Sequence, residues 1–441
     1  MGRPEREEVT MSLSSNRRRL ALACMAVVCL NLAGIAQGQA QVEVTYATFL
    51  DPNNHNDPRA AAQSKMIEAF EKANPMIKIK VMVDGTQQAS FRALRARSAI
   101  PDVMRHSNYY MLEAANTGSL LKLDDLIKRD GISETDWLLP LSLTRVNDGV
   151  YGLQQDFRIP ILIYRKSLLS KAGVTPPRVW DDVCPTASKM TSGSVVGYAV
   201  PLGSSGGLGG AQPLTENMFG SMVTESDGNY FSADGRSIEF SRDSFIRTAK
   251  TIKGLYACNA APATSMQFGY TEIHDGLRSG NVAMATFGLF RYRAIETGGA
   301  GDDLAWAPPP AYKPDGKMVV YGFQLTINAN STQKEAAWQF AKFMTSPEGQ
   351  AIAAEGGEVV ARASVYADPK LSASVTERQR AWANLVRERG RFVSYPVLST
   401  NFNQVLGDAM QRMILSNGTP EAAYDEVVAK YNEAVRKSVT P

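Results

Sequence analysis

The first elements of the chain are predicted by the alternation of apolar and polar positions. Residues 42–49 are β-branched and aromatic in rough alternation, and residues 77–83 alternate isoleucine and valine with lysine and methionine, so both stretches predict strands. Between them apolar side chains recur at helical spacing, and Pro75 ends this helix because proline cannot donate to the preceding turn. The positions predicted to face inward on the helix are Ala62, Met66, Ile67 and Phe70. A strand–helix–strand order of this kind is typical of parallel α/β folds.

Stretches with the spacing of helices and the alternation of strands recur to the end of the chain. Further helices are predicted at 91–98, 109–117 and 334–344 and from residue 420 onward, and further strands at 102–105 and 151–165. Pro160 falls inside the last of these strands, which is therefore predicted to be interrupted or to lie at a sheet edge. The glycine-rich residues 203–210 predict a loop, because glycine favours neither regular element.

The first forty residues have the three parts of a secretory signal peptide. Three arginines at 17–19 precede an apolar run at 20–36, and the small or polar residues at 38–40 suit a signal peptidase. The alternative is a single membrane anchor, but the run is shorter than the ~20 apolar residues that a span needs. Translation could also start at Met11. We therefore expect an exported, periplasmic protein, with the cell exterior as the other destination, whose signal is cleaved near Ala40.

Composition and charge narrow the class of protein. The 441 residues suffice for two domains, and 44% apolar with 21% charged residues is an ordinary globular balance. The net charge of +3 comes from interspersed charges, so we expect no nucleic-acid partner. The three histidines lack metal-ligand spacing, and we expect neither a metal nor another cofactor. After the signal only Cys184 and Cys258 remain; such a pair usually forms a disulfide in an oxidising compartment, and two free thiols are the alternative.

Ten short motifs stand in the order found in one protein family. No motif is specific by itself, but ten of them in order behind a signal peptide are hard to obtain by chance. They are FEKANP at 70–75, PDV at 101–103, TGSLLKLDD at 117–125, DGVYGL at 148–153, IYRK at 163–166, KAGVTPP at 171–177, WDD at 180–182, GNVAM at 280–284, AAWQF at 336–340 and TSPEGQ at 345–350. The chain therefore resembles the extracellular solute-binding proteins of ABC importers, family 1, the maltose-binding-protein-like group.

The resemblance implies a two-lobed α/β fold of the type II periplasmic binding proteins. Each lobe is expected to be a mainly parallel sheet flanked by helices, with the ligand cleft between the lobes. The expected parts are the signal peptide at 1–40, lobe one at 41–156 and 304–361, and lobe two at 157–303 and 362–441. Proteins of this kind close around their ligand by a hinge. The resemblance thus implies a monomeric carrier, without enzymatic activity, that binds a small-molecule solute and meets the permease subunits of an ABC importer.

The resemblance also suggests which residues contact the ligand. Aromatic rings suit the C–H-rich faces of sugars, and planar polar groups suit their hydroxyls. The candidate ligand residues are Phe49, Asp51, His106, Ser107, Tyr109, Tyr110, Asp156, Arg158, Phe290, Arg291, Tyr321, Gln324, Glu358 and Phe402. Phe290 stands where the family has a stacking tryptophan. Because few tryptophans look available for stacking, the expected ligand is a short saccharide or a sugar derivative.

Arginines near the expected cleft leave a second ligand class open. An anionic solute, such as a sugar acid, a sugar phosphate or a glycerophosphate, suits guanidinium groups because they pair with such anions bidentately. The arginines concerned are Arg105, Arg158, Arg291 and Arg293. The alternative is that they pair with Asp156 and other acids of the protein.

One motif suggests a different class of protein. Residues 203–207 satisfy the G-x-S-x-G pattern of hydrolases, with Ser205 as the nucleophile. That motif needs a following helix and then an acid and a histidine, yet glycines follow it and His274 is the only histidine downstream. A serine hydrolase is thus a remote alternative. A binding protein that reports to a chemoreceptor is another role that the same cleft permits.

Overall fold

The computed structural model describes residues 1–2, 41–85, 87–147, 149–207 and 209–439, so the predicted signal peptide lies outside the described residues. The residues from Glu43 onward form one unit built on two main sheets. The strands are β1 (Val42–Thr48), β2 (Ile77–Val83), β3 (Val103–Ser107), β4 (Gly152–Arg158), β5 (Pro160–Arg165), β6 (Val196–Tyr198), β7 (Val282–Gly288), β8 (Leu304–Ala307), β9 (Met318–Val319), β10 (Tyr321–Ile327), β11 (Val359–Val360) and β12 (Gly390–Arg391).

Helices cover both sheets. They are α1 (Pro58–Ala73), α2 (Gln88–Ala96), α3 (Met111–Asn116), α4 (Asp124–Arg129), α5 (Lys166–Ala172), α6 (Val183–Ala187), α7 (Gln212–Leu214), α8 (Gly220–Asp227), α9 (Arg242–Ala257), α10 (Tyr270–Ser279), α11 (Tyr292–Ile295), α12 (Lys334–Met344), α13 (Pro347–Ala354), α14 (Ser364–Ala367), α15 (Glu377–Arg389), α16 (Ser399–Leu415) and α17 (Pro420–Val439). In the described part of the chain, no helix combines the length and the apolar character that crossing a membrane requires.

Local sequence determines where helix α1 begins and which face it buries. The Asp57 side chain caps its first turn by accepting a hydrogen bond from the Arg59 backbone N–H, and proline occupies the first helical position. Its face toward the core includes the predicted Met66 and Phe70, whereas Ile67 is only half-buried. The helix therefore lies where the apolar pattern places it, and its capped first turn points Arg59 toward the end of β1.

The first lobe is built on a six-stranded sheet with the order β11-β4-β10-β3-β1-β2. Strands β1 and β3 are parallel, whereas β10 is antiparallel to both β3 and β4, and β11 is antiparallel to β4. The second lobe is built on a four-stranded sheet with the order β6-β7-β5-β8, in which β6 and β7 are parallel and β5 is antiparallel to both neighbours.

The sheets are thus mixed, which corrects the expectation of mainly parallel sheets. Strands β1 and β3, which are reached through helical crossovers, follow the parallel rule. Strands β5 and β10 instead enter their sheets from the other lobe, with no such crossover to set their direction. The two-lobed α/β class itself is confirmed.

The chain passes between the two sheets at three places. Ile159 alone separates β4 from β5, beside the proline that the sequence marked as an interruption. Residues 304–307 still pair with β5 in the second sheet, so the return to the first sheet comes later than the expected boundary at 303. The third passage follows β11, where the Arg362 side chain still donates to the Thr345 carbonyl oxygen of the first lobe. At the second and third passages a strand or loop thus keeps hydrogen-bond partners in the lobe that it is leaving.

Aromatic side chains fill the core of the second lobe. The rings of Phe231 and Phe402 lie 4.9 Å apart, and Phe402 lies 5.6 Å from Tyr431 of α17. All three are buried. A disulfide joins Cys184 in α6 to Cys258 at the end of α9, within this lobe.

Candidate functional site

A cavity of about 170 Å³ lies where the ends of strands from both sheets meet. The antiparallel register places the end of β3, at Ser107, opposite Phe323, and the end of β4, at Arg158, opposite Tyr321 at the start of β10. Phe49 follows β1 at the same edge. In the second sheet the end of β7 pairs with the start of β5, so the turn at 289–291 reaches the same place. Open α/β sheets commonly bind ligands at such strand ends.

The cavity contains six of the predicted ligand residues. These are Phe49, Ser107, Arg158, Phe290, Arg291 and Tyr321. The other lining residues escaped the sequence prediction and are Arg59, Gly85, Gln87, Gly206, Gly207, Gln212, Glu216, Tyr270 and Phe323. Phe323 lies two residues after Tyr321 on one strand, so the two-residue repeat of a strand was a signal that could have found it. No local signal could have found Tyr270 or Glu216, because only the fold brings them here.

A buried ion network supports the first-lobe wall of the cavity. Arg105 donates to Asp156 at 2.5 Å and to Glu358 at 3.2 Å, and Arg158 donates to Asp156 at 3.2 Å and forms a shorter bond to Glu358. Burial by itself would raise the pKa of Glu358, but the positive charges of Arg158, Arg105 and Arg59 hold this pKa below its ordinary value. The predicted residues Asp156 and Glu358 therefore neutralise arginines behind the wall and do not themselves line the cavity.

The aromatic rings of the cavity lie against guanidinium groups. The Arg158 guanidinium carbon lies 4.5 Å from the centre of the Phe290 ring and 4.4 Å from that of Phe323, and Arg105 lies 4.7 Å from Phe49. Such contacts are attractive because the ring face is electron-rich. The predicted rings of Phe49 and Phe290 thus already hold a cation, and only their remaining surface is available to a ligand.

The second-lobe wall holds a buried carboxylate. Glu216 accepts hydrogen bonds from the Tyr270 hydroxyl at 2.5 Å and from the Gln212 amide at 2.7 Å. Burial raises the pKa of Glu216, and these two hydrogen bonds offset part of that rise. The π-helical turn at 215–219, which continues α7 into α8, places Glu216 in this position. This wall offers a ligand polar groups that are already fixed by mutual hydrogen bonds.

Arg291 differs from the other arginines of the cavity. Its guanidinium carbon lies 5.4 Å from the ring centres of both Tyr270 and Phe290. Among the residues that the structure describes, no carboxylate forms an ion pair with it, and its Nε is buried without a hydrogen-bond partner. Burial and the positive charges of Arg59 and Arg158 lower its pKa.

Several predicted ligand residues lie elsewhere. His106 is buried on the opposite side of β3, where its Nδ1 lies 3.1 Å from the Thr326 hydroxyl and its ring packs on Phe91. Successive residues of a strand point to opposite faces, so Ser107 can face the cavity only if His106 does not. Burial lowers the pKa of His106 to about 4. The structure thus keeps this imidazole out of the cavity and neutral at ordinary pH.

The remaining predicted ligand residues also lie outside the cavity and make contacts within the protein. The Tyr109 hydroxyl donates to Asn403 at 2.7 Å, and Tyr110 packs on Phe91. Asp51 accepts a hydrogen bond from the Asn53 backbone in a turn, outside the lining of the cavity. Phe402 is in the core of the second lobe, because α16 turns this ring toward α17 rather than toward the cleft.

A second cavity, of about 230 Å³, contains the predicted residue Gln324. Asn108, Arg145 and Tyr395 also line it. The Asn108 amide and the Gln324 Oε1 are buried there without a hydrogen-bond partner. The one arginine of this cavity, Arg145, is paired with Asp124, whereas three arginines line the first cavity.

The G-x-S-x-G motif has no catalytic arrangement in the described residues. The Ser205 hydroxyl donates to Glu272 at the start of α10, and the Ser205 carbonyl oxygen accepts from the Tyr270 N–H. His274, the only histidine after Ser205, forms no hydrogen bond to it in the part of the chain described. Within the same residues no group of three or more His, Cys, Asp and Glu side chains could hold a metal ion. Ser205 therefore fastens the glycine-rich loop to α10.

The two lobes give the chain the fold of the type II periplasmic binding proteins. The model of one family, described as "Bacterial extracellular solute-binding protein", matches residues 53–351. The chain belongs to this family, as its sequence motifs predict.

This chain aligns with part of the length of its curated relatives. One is the "Probable amino-acid ABC transporter periplasmic-binding protein y4oP" of Sinorhizobium fredii, 23% identical over 302 residues that cover 66% of each chain. Another is the erythritol/L-threitol-binding protein of Mycolicibacterium smegmatis, 25% identical over 61% of this chain and 55% of that one. The matched region thus spans slightly under two thirds, or less, of these relatives.

Solved structures match over most of the chain. The GacH receptor of Streptomyces glaucescens, solved with and without acarbose, is 23% identical with a TM-score of 0.71 and covers 90% of this chain and 98% of its own. UgpB of Mycobacterium tuberculosis, in complex with glycerophosphocholine, is 16% identical with a TM-score of 0.74 and covers 90% and 99%. At such identities these likenesses establish the fold.

Proposed function

We propose that this protein is the substrate-binding subunit of an ABC importer and that it captures a short saccharide or sugar derivative. The observation that carries the proposal is the cavity of about 170 Å³ at the meeting strand ends, lined by rings, arginines and fixed polar groups. A cavity of this size is smaller than the ~300–1,000 Å³ typical of drug-sized ligands, so it suits a small solute. The neighbours support the solute class, since they include proteins solved with acarbose and with ribitol.

The proposed cycle uses the two lobes. The lobes, with hinge passages at Ile159, after residue 307 and after Arg362, close around the solute, and the permease recognises the closed form. The protein acts as a monomer in the periplasm after its signal peptide is removed near Ala40. It performs no chemistry of its own, and transport is driven by ATP hydrolysis in other subunits.

The first test is a thermal-shift screen of the chain from residue 41 onward against sugars, polyols, sugar acids and sugar phosphates. A ligand that binds only the folded state raises the melting temperature in proportion to ln(1 + [L]/Kd). We expect a saturable rise with at least one of these compounds, and calorimetry should give one site per chain.

Two results would contradict the proposal. One is that no polyhydroxylated compound raises the melting temperature of the wild-type protein. The other is hydrolysis of a generic ester that Ser205→Ala abolishes, which would favour the hydrolase alternative. Thr191→Ala provides a matched control for that variant, because its hydroxyl is also hydrogen-bonded, to the Ala260 carbonyl oxygen, and does not line the cavity.

A further inference from the structure

The charges around the cavity of about 170 Å³ are unbalanced. Three arginines line it, Arg59, Arg158 and Arg291, against one acid, Glu216. Arg59 has its own partner, because its Nη2 lies 2.7 Å from Asp57, and Arg158 belongs to the buried ion network. Both oxygens of Glu216 accept hydrogen bonds from other residues of the second-lobe wall. In the described part of the chain Arg291 is therefore the cavity arginine that no acid neutralises.

The isolation of Arg291 is unfavourable unless a ligand relieves it. A guanidinium group stays charged in proteins, and burying an unpaired charge costs free energy that a nearby anion would recover. The positive charges of Arg59 and Arg158 act on Arg291, and both repel it. The free protein thus holds a half-buried cation with no acid partner among the described residues, and an anion in the cavity would supply one.

The rings beside Arg291 do not satisfy it completely. Tyr270 and Phe290 attract the cation through their ring faces, at 5.4 Å from each centre. A ring face, however, accepts none of the hydrogen bonds that the guanidinium donates in its own plane. The buried Nε accordingly has no partner. The rings hold the group in place and leave its edge for a planar acceptor.

An independent observation concerns Tyr321. Its side chain lines the same cavity and is 2% exposed, and its hydroxyl interacts with that of Tyr270 but forms no hydrogen bond of full geometry with the described residues. A buried hydroxyl without such a bond is unusual, since most such groups are hydrogen-bonded to the protein or to a bound molecule. Arg291 and Tyr321 thus provide two buried donors in one cavity, which suits an acceptor with more than one oxygen.

We propose that the solute bound in this cavity carries an anionic group, a carboxylate or a phosphate, that accepts hydrogen bonds from Arg291 and Tyr321. The inference deepens the proposed function and rests on it, because it assumes that this cavity binds the transported solute. A carboxylate or phosphate matches the planar guanidinium fork bidentately, whereas the hydroxyls of a neutral sugar leave the charge uncompensated. The solute class is then a sugar acid or a phosphorylated sugar or polyol.

The test compares matched neutral and anionic compounds by calorimetry. The panel contains hexoses, pentoses and polyols, each with its carboxylic acid and its monophosphate, so that the two sources of negative charge are distinguished. We expect at least one acid or phosphate to bind at least about 10-fold more tightly than its neutral parent, since hydrogen bonds to charged groups commonly contribute this much.

Variants at Arg291 connect the preference to the residue. Arg291→Gln should remove the anionic preference, and Arg291→Lys should keep part of it because the charge remains while the bidentate fork is lost. Arg293→Gln is the matched control, because this exposed arginine lies two residues away and bonds to the Glu355 carbonyl oxygen. The control should bind the whole panel as the wild type does. Tyr321→Phe should weaken the anionic compound with little effect on its neutral parent.

The possible failures are distinguishable. If a neutral sugar binds as tightly as its acid and phosphate, and Arg291→Gln leaves its affinity unchanged, the anionic inference is overturned and the proposed function stands. If no member of the panel binds the wild-type protein, neutral or charged, the proposed function fails and the inference falls with it. If Arg291→Gln does not fold, the ratio of neutral to anionic affinities in the wild-type protein and in Arg291→Lys still tests the anionic inference.

Discussion

Replacing Glu358 by glutamine tests the buried ion network behind the cavity. The substitution keeps the volume of the side chain and one oxygen that can accept a hydrogen bond, but it removes the negative charge. Arg105 and Arg158 would then share the single carboxylate of Asp156, at 2.5 and 3.2 Å. The variant therefore leaves an excess of one buried positive charge.

The structure sets the expected magnitude. The side chains of Arg105 and Arg158 are 2% and 5% exposed, so water cannot replace the missing carboxylate. Removing one partner from a buried ion pair commonly costs about 3–5 kcal/mol of the free energy of unfolding. Because both arginines keep Asp156, we expect the lower end of this range, about 3 kcal/mol.

Glu355→Gln is the matched control. Glu355 pairs with Lys65, but the two side chains are 39% and 59% exposed, and exposed pairs contribute about 0–1 kcal/mol. Urea-induced unfolding of both variants at neutral pH, followed by circular dichroism, measures the difference. High salt should abolish the small effect of the control and leave most of the effect of Glu358→Gln, since buried charges are screened less. Equal losses in the two variants would refute the reasoning.

Three further predictions concern binding and stability. Phe290→Ala should weaken solute binding by about 1–3 kcal/mol, as loss of an interfacial aromatic ring commonly does, and unchanged affinity in calorimetry would remove this ring from the site. Breaking the disulfide with Cys184→Ser should destabilise the protein by up to about 4 kcal/mol, because the bridge closes a loop of 74 residues; two free thiols at Cys184 and Cys258 in the unfolded, unreduced wild type would contradict the bridge. Burial lowers the folded-state pKa of His106 to about 4, below the 6.5 of an exposed imidazole, so its contribution to stability is complete above pH 6.5 and declines by up to about 3 kcal/mol as the pH falls to 4. The rise of unfolding free energy with pH across this range should flatten in His106→Gln, and an unchanged slope would show that another group causes it.

Local chemistry alone accounts for much of the fold. The apolar repeat predicted the helix at 334–344 with the bounds that α12 has, and the strand at 77–83 coincides with β2. Pro160 marked the interruption that separates β4 from β5. These features depend on residues that are near in sequence, through helical spacing, strand alternation and the missing N–H of proline. They can therefore be predicted without the rest of the molecule.

Local sequence could not predict which residues of β3 face the cavity. All five residues of β3 are buried, because the strand is covered on both sides, and its apolar and polar residues do not alternate in the way that marks one face as solvent. The family resemblance nominated both His106 and Ser107, beyond a strand predicted to end at residue 105; β3 instead continues to Ser107, and neighbours on a strand face opposite sides. The packing of helices on the sheet decided that Ser107 faces the cavity and His106 faces the core.

Long-range pairing decided the rest of the site. The sequence determined the family, the α/β class and the presence of arginines and aromatic rings near the strand ends. It could not determine that Glu358 pairs with arginines 200 and 253 residues away, that Glu216 and Tyr270 form the opposite wall, or that Phe402 turns into a core. Ion pairing and burial depend on which distant segments meet, and only the tertiary structure shows that Arg291 meets no acid among the described residues.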